Sequence, residues 1–106
     1  MSEQKKVLHT VNKSPLERNA LESCLRLAQK GSGILLIEDG VYAAMQGNQA
    51  SAQLTARAGD FQFYALEPDL SARGLAGKPL IDGCVLVDYE GFVDLAASHD
   101  NVQAWL

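Results

Sequence analysis

Four side chains in this sequence could serve as soft metal ligands or nucleophiles: His9, Cys24, Cys84 and His99. A zinc site needs about four such donors, usually with two of them a few residues apart so that one loop presents both. No pair here has that local spacing, so no metal site is expected. What remains is the chemistry of the thiols. A cysteine can hold sulfur as a persulfide and hand it to another thiol when its thiolate is accessible and moderately acidic. Cys84 opens an apolar run and reads as an inert core residue. Cys24 sits near the middle of the apolar arc of a helical segment, too late for the helix N-terminus to acidify it, so both a core role and a reactive role remain open. A disulfide between the two is not expected in a chain read as cytoplasmic.

Other candidates have structural explanations close at hand. Asp39 and Asp69 stand where they could cap following helical segments, and Glu38 and Asp88 could simply be solvated. His9 lies inside a strand and reads as a satisfied core or partner-facing histidine, while His99 follows a helix whose last carbonyls it could contact. No G-x-G-x-x-G follows the first strand and no G-x-x-x-x-G-K-[ST] is present, so neither a dinucleotide nor a nucleoside triphosphate finds its usual backbone cradle. No cofactor is expected.

The elements that must position these residues follow from periodicity and punctuation. Lys6 to Val11 reads as a strand. Ser14, Pro15 and Glu17 form a helix start with a capping box, and the helix should run to about Lys30, with Gly31 as its left-handed stop. Spacing of about 100° per residue gathers Leu16, Leu27, Ala20, Cys24, Ala28, Leu21 and Leu25 on one arc. Gly33 to Ile37 is continuously apolar, as a strand covered on both faces should be. Short helical stretches are expected at Val41 to Gln46 and Gln49 to Ala58, divided by Gly47-Asn48. Phe61 to Leu66 and Cys84 to Val87 read as further strands, the second also buried. Pro68 to Arg73 reads as a helical turn, Phe92 to Ser98 as a helix and Val102 to Leu106 as an edge strand. Strands alternating with helices predict a small three-layer α/β domain: a mostly parallel, twisted sheet of about five strands with helices on both faces. In such sheets ligands gather beyond the carboxyl ends of the strands, here Asn12 and Lys13, Glu38 and Asp39, Glu67 and Asp69, and Asp88 and Tyr89.

At 106 residues, 47% of them hydrophobic and 21% charged, the sequence has room for a single domain over residues 1–106, with residues 1–5 expected to be a flexible lead-in. Its core must be thin, so association with other subunits would add useful burial. Nine Lys and Arg against thirteen Asp and Glu leave a net charge of -4, which argues against general binding of nucleic acid. The charge is uneven: residues 1–30 carry a net +3 and the remainder a net -7. No apolar run approaches the roughly 18 residues of a membrane span, and MSEQKK is not followed by a signal-peptide h-region, so a cytoplasmic protein with no membrane contact is expected.

Several blocks together resemble a known family. They are Leu8-His9-Thr10-Val11-Asn12-Lys13-Ser14-Pro15, Glu38-Asp39-Gly40-Val41-Tyr42-Ala43-Ala44, Asp69-Leu70-Ser71-Ala72-Arg73-Gly74, Val87-Asp88-Tyr89-Glu90-Gly91-Phe92-Val93 and Val102-Gln103-Ala104-Trp105. The joint pattern spans nearly the whole chain after residue 6 and is similar to the DsrH/TusB family of sulfur-relay subunits. The resemblance implies a cytoplasmic heterohexamer with two copies each of this chain, a DsrE-like (TusD-like) and a DsrF-like (TusC-like) subunit, delivering sulfur to a DsrC/TusE-like carrier protein. It implies too that the principal persulfide cysteine belongs to the DsrE/TusD subunit. DsrH serves oxidative sulfur metabolism; TusB serves formation of 2-thiouridine in tRNA. DsrH-type chains are similar to this one in carrying a cysteine in the first helix, within a stretch like Leu21-Glu22-Ser23-Cys24-Leu25. On that resemblance the DsrH branch is favoured, with Cys24 as the candidate sulfur-binding thiol. The alternatives are a TusB subunit and a purely structural subunit with no sulfur chemistry of its own.

Overall fold

The computed structural model describes residues 6–14 and 19–105. Five strands alternate with helices: β1 (Val7–Val11), α1 (Ala20–Leu27), β2 (Gly33–Leu36), a 3-10 segment (Glu38–Ala44), α2 (Gln49–Ala56), β3 (Gln62–Leu66), α3 (Glu67–Ala72), β4 (Cys84–Val87), α4 (Tyr89–Ser98) and β5 (Asn101–Trp105). All four strand pairings are parallel, in the order β4-β3-β2-β1-β5. The expectations for residues 1–5, for the capping box through Pro15 and Glu17, and for Leu106 fall outside the described residues.

This order dictates where the helices go. A parallel crossover is right-handed, so connections that step in one direction across the sheet lie on one face and a step in the reverse direction lies on the other. Steps from β1 to β2, β3 and β4 all run the same way, and put α1, the 3-10 segment, α2 and α3 together. Only the return from β4 to β5 reverses, which leaves α4, among the described elements, alone on the opposite face. Register partners share a face. His9, Ile34, Phe63 and Cys84 align on one side, as do Val11, Leu36, Ala65 and Leu86. This is the face of the main core, where Val11, Ile34, Leu36, Phe63 and Ala65 meet Leu21, Cys24 and Leu25 of α1, Leu54 of α2 and Leu70 of α3. On the opposite face, a Cβ at Gly33 would meet His99 Nε2 at 2.9 Å and Leu8 Cδ1 at 3.2 Å, so the glycine lets the end of α4 approach the sheet.

β2 is buried along its whole length, in keeping with its uninterrupted apolar run. The equally apolar β4 is not buried: Val85 and Leu86 are each about half exposed, because this strand is the rim of the sheet. A short apolar run does not distinguish a central strand from an edge. β5 is the other rim, as expected, and its Trp105 packs against the core.

Helix ends differ from the sequence reading, some for local reasons and one through distant partners. α1 stops at Leu27, three residues early, where Ala28 turns extended (φ -69°, ψ 142°). The Leu25 carbonyl instead accepts from Arg57 Nη1 at 3.2 Å, while Lys30 is drawn to Asp60. Leu27, placed on the apolar arc, is therefore exposed at the helix end. The Val41 to Gln46 stretch is a 3-10 segment that begins earlier, at Glu38. Asn48 is a cap rather than a mere break: its Oδ1 accepts from the Ser51 N–H at 2.8 Å, and the Ser51 hydroxyl oxygen accepts from the Asn48 N–H at 3.2 Å. α4 begins at Tyr89, before the expected Phe92, because Asp88 caps it by accepting from the Gly91 N–H at 2.7 Å.

Two contacts give direct tests of this packing. A Cβ on Gly40 would run into the carbonyl of Val11, the same oxygen that accepts from the Ile37 N–H at 3.0 Å. Gly40→Ala should cost about 1–3 kcal/mol in urea unfolding, since backbone rather than a flexible side chain must yield. The second contact joins buried His9 to half-buried Trp105: Trp105 Nε1 donates to His9 Nδ1 at 3.0 Å. Indole can only donate, so His9 is neutral with its proton on Nε2. Burial lowers the His9 pKa from its ordinary 6.5. The unfolded chain therefore takes up a proton first as the pH falls, and stability should decline through pH 6.5 until the folded state also protonates. Trp105→Phe, measured at pH 8, should cost about 1–3 kcal/mol by leaving the His9 acceptor unpaired.

Candidate functional site

The carboxyl ends of β1, β2 and β3 form the rim where sheets of this kind place chemistry. Glu38 leaves β2 with φ at +50°, a left-handed conformation that costs a non-glycine residue about 1 kcal/mol. Its N–H is held by Asp69 Oδ2 at 2.6 Å. Across the same rim Arg73 Nε donates to Asp39 Oδ1 at 2.9 Å, and Arg73 Nη1 donates to the Asp69 carbonyl at 3.0 Å. Asp39, Asp69 and Arg73 thus tie the loop after β2 to α3. The expected capping roles of the two aspartates do not occur: each lies within the first turn of its segment and bonds across the rim instead. Asp88, expected to be solvated, is the cap of α4. These carboxylates are engaged in holding backbone and guanidinium, which makes the rim a braced platform rather than an acid/base pair.

One atom at the rim stands out. Asn12 Oδ1, just past β1, is buried and has no hydrogen-bond partner among the described residues. Asn12 and Asp39 were expected at strand ends, but the Asp39–Arg73 pair had no local signal in the sequence, since partners 34 residues apart become neighbours only through the β2–β3 pairing.

The thiols lie elsewhere. Both are free, and both are protonated at neutral pH. Cys24 is 0% exposed, on the face of α1 turned into the core. Burial pushes its pKa up to about 12, and that of the half-buried Cys84 up to about 11. At pH 8 a thiol with a pKa near 12 is ionised in roughly one molecule in ten thousand, so Cys24 is a poor nucleophile while α1 stays docked. His9, Cys24, Cys84 and His99 serve separate ends. His9 accepts from Trp105, and His99 Nδ1 lies 2.7 Å from the Leu95 carbonyl, to which it must be the donor. Among the described residues no three His, Cys, Asp or Glu side chains are gathered as metal ligands, and no helix is long and apolar enough to cross a membrane.

Comparison with known proteins adds what geometry alone does not supply. Residues 13–102 match the family described as DsrH-like protein. Protein TusB of Escherichia coli K12 is 39% identical over 99 residues, covering 93% of this chain and all of the relative. TusB of Shigella flexneri is 40% identical over the same span. Among solved structures, the Escherichia coli ychN protein superposes with a TM-score of 0.79 at 23% identity, covering 95% of this chain and 99% of its own. A Methanobacterium thermoautotrophicum protein of unknown function superposes at 0.64 and 16% identity, covering 94% and 99%. The two structures share the fold, and the sequence matches go further: the chain belongs to the DsrH/TusB family.

Proposed function

We propose that this chain is a cytoplasmic subunit of a sulfur-relay assembly of the TusB type, acting in tRNA 2-thiouridine formation by completing the assembly rather than by carrying sulfur. The observation that supports the relay is the end-to-end match, at 39–40% identity, to relatives named TusB. The structural form of the role is supported by the complete burial and raised pKa of Cys24, the one thiol to which the family resemblance points. Its partners in this reading are TusD-like and TusC-like subunits, two copies of each chain, with a TusE-like carrier receiving the sulfur from the partner's persulfide cysteine.

A second reading keeps the chain in the DsrH branch, with Cys24 as a sulfur acceptor. Its support is the position of Cys24 in α1, and it requires α1 to lift from the sheet before the thiol can ionise or meet a persulfide. Genes for a sulfite reductase beside the gene for this chain would favour that branch.

Coexpression with the TusD-like and TusC-like chains of the same organism should yield one complex on gel filtration; elution of this chain alone, while the others assemble, would overturn the relay reading. Intact-mass analysis after incubation with a persulfide donor should find sulfur on the TusD-like chain and none on Cys24, with transfer to the carrier changed less than about twofold by Cys24→Ala. A sulfur adduct lost in Cys24→Ser would establish the second reading instead. In the isolated chain, iodoacetamide at pH 8 should label Cys24 only on unfolding, and Cys84 sooner.

A further inference from the structure

α4 is the only helix among the described residues with no buried residue, and it stands alone on its face of the sheet. Five of the seven exposed large apolar side chains among those residues fall between residues 85 and 102. Tyr89 is 62% exposed and Val93 66%; on edge strand β4, Val85 at 46% lies on the same face of the sheet as α4, while Leu86 at 49% lies on the other, at the rim. Gly91, Phe92, Leu95 and Ala96 are the half-buried positions of α4, which puts Tyr89 and Val93 one turn apart on a flank the sheet does not use. Glu90 and Asp94 lie next to them on the helix, and among the described residues neither has an ion pair. From Pro79 to Trp105 the chain holds five acids and no Lys or Arg.

This combination selects its occupant. Exposed apolar side chains clustered within an acidic rim mark a binding surface rather than ordinary solvated helix. A symmetric contact between two copies would set Glu90 and Asp94 against their own images, and nucleic acid or an anionic bilayer would meet the same repulsion. A protein surface with an apolar centre and a Lys/Arg rim meets neither objection. The free backbone edge of β4 adds a second requirement. Its sequence, CVLV, has no charge or proline to blunt pairing with stray strands, so it calls for permanent cover. A resident subunit gives that cover; a carrier that comes and goes does not.

We propose that the exposed flank of α4, together with the β4 edge, is the docking surface for a sister subunit whose contact surface is apolar at its centre and basic at its rim. The identity of that partner rests on the relay reading above. The test is coexpression with the TusD-like and TusC-like chains, comparing wild type with Glu90→Lys/Asp94→Lys and with Val93→Ser. A matched control, Gln49→Lys/Gln53→Lys, adds charge to the exposed face of α2. All sites are exposed, so circular dichroism and thermal midpoints of the isolated chains should stay as in wild type. The two α4 variants should weaken assembly by about tenfold or more, the control should not, and wild-type assembly should loosen as salt is raised. Assembly of both α4 variants at wild-type strength would overturn the docking surface while leaving the relay reading intact. Failure of the wild type itself to assemble would overturn the relay reading and the partner together. A homodimer of the isolated chain that Glu90→Lys/Asp94→Lys disrupts would show a second copy to be the occupant, and would overturn the proposal.

Discussion

The handedness of the parallel crossover is the constraint from which the rest of this molecule follows. Three connections step across the sheet one way and one returns, so three helices and the 3-10 segment share a face while α4 covers the other by itself. Five strands at about 4.8 Å spacing span roughly 19 Å, and a helix with its side chains is about 10 Å wide. One face is therefore roofed except at its β4 rim, where Leu86 is half exposed, and the other is about half roofed. Burial follows this division: the main core, with Cys24 inside it, lies under α1, α2 and α3, while the exposed apolar side chains gather around α4 and the β4 rim.

The same division bears on chemistry. The carboxyl-end rim in many sheets of this kind supplies acids, bases or phosphate cradles, yet here Asp39, Asp69 and Arg73 are spent on one another and on a strained turn at Glu38. Bracing of this sort fixes the shape of a surface. It offers no nucleophile. The two thiols, which could, lie where burial holds them protonated. A chain so arranged is suited to presenting a rigid surface within an assembly, consistent with a small core that gains from association.

Much of the fold was legible because each strand and most helices carried their own local signal. The apolar run Gly33 to Ile37 announced a strand covered on both faces, and the arc through Leu21, Cys24 and Leu25 announced the buried side of α1. What the sequence could not show depended on distant partners. The end of α1 at Leu27 is set by Arg57 and Asp60, some thirty residues away, and so the exposure of Leu27 was hidden in a pattern that placed it with the core. The run Cys84 to Val87 looked as buried as β2, since position in a sheet is fixed by topology and not by composition. The rim pairing of Asp39 with Arg73 was invisible for the same reason, and Asp88 read as solvated when it caps α4.

Cys24 shows how resemblance and geometry divide the labour of inference. A family pattern can point to a residue, but whether that residue reacts depends on solvent, charge and access, none of which the pattern contains. In a relay the useful thiol is one that is ionised and reachable, because sulfur moves by attack of a thiolate on a persulfide. A thiol sealed in a core, with its pKa near 12, meets neither condition. Burial of Cys24 then has a chemical consequence as well as a packing one: the folded chain withholds its one helical thiol from exchange with other thiols and persulfides.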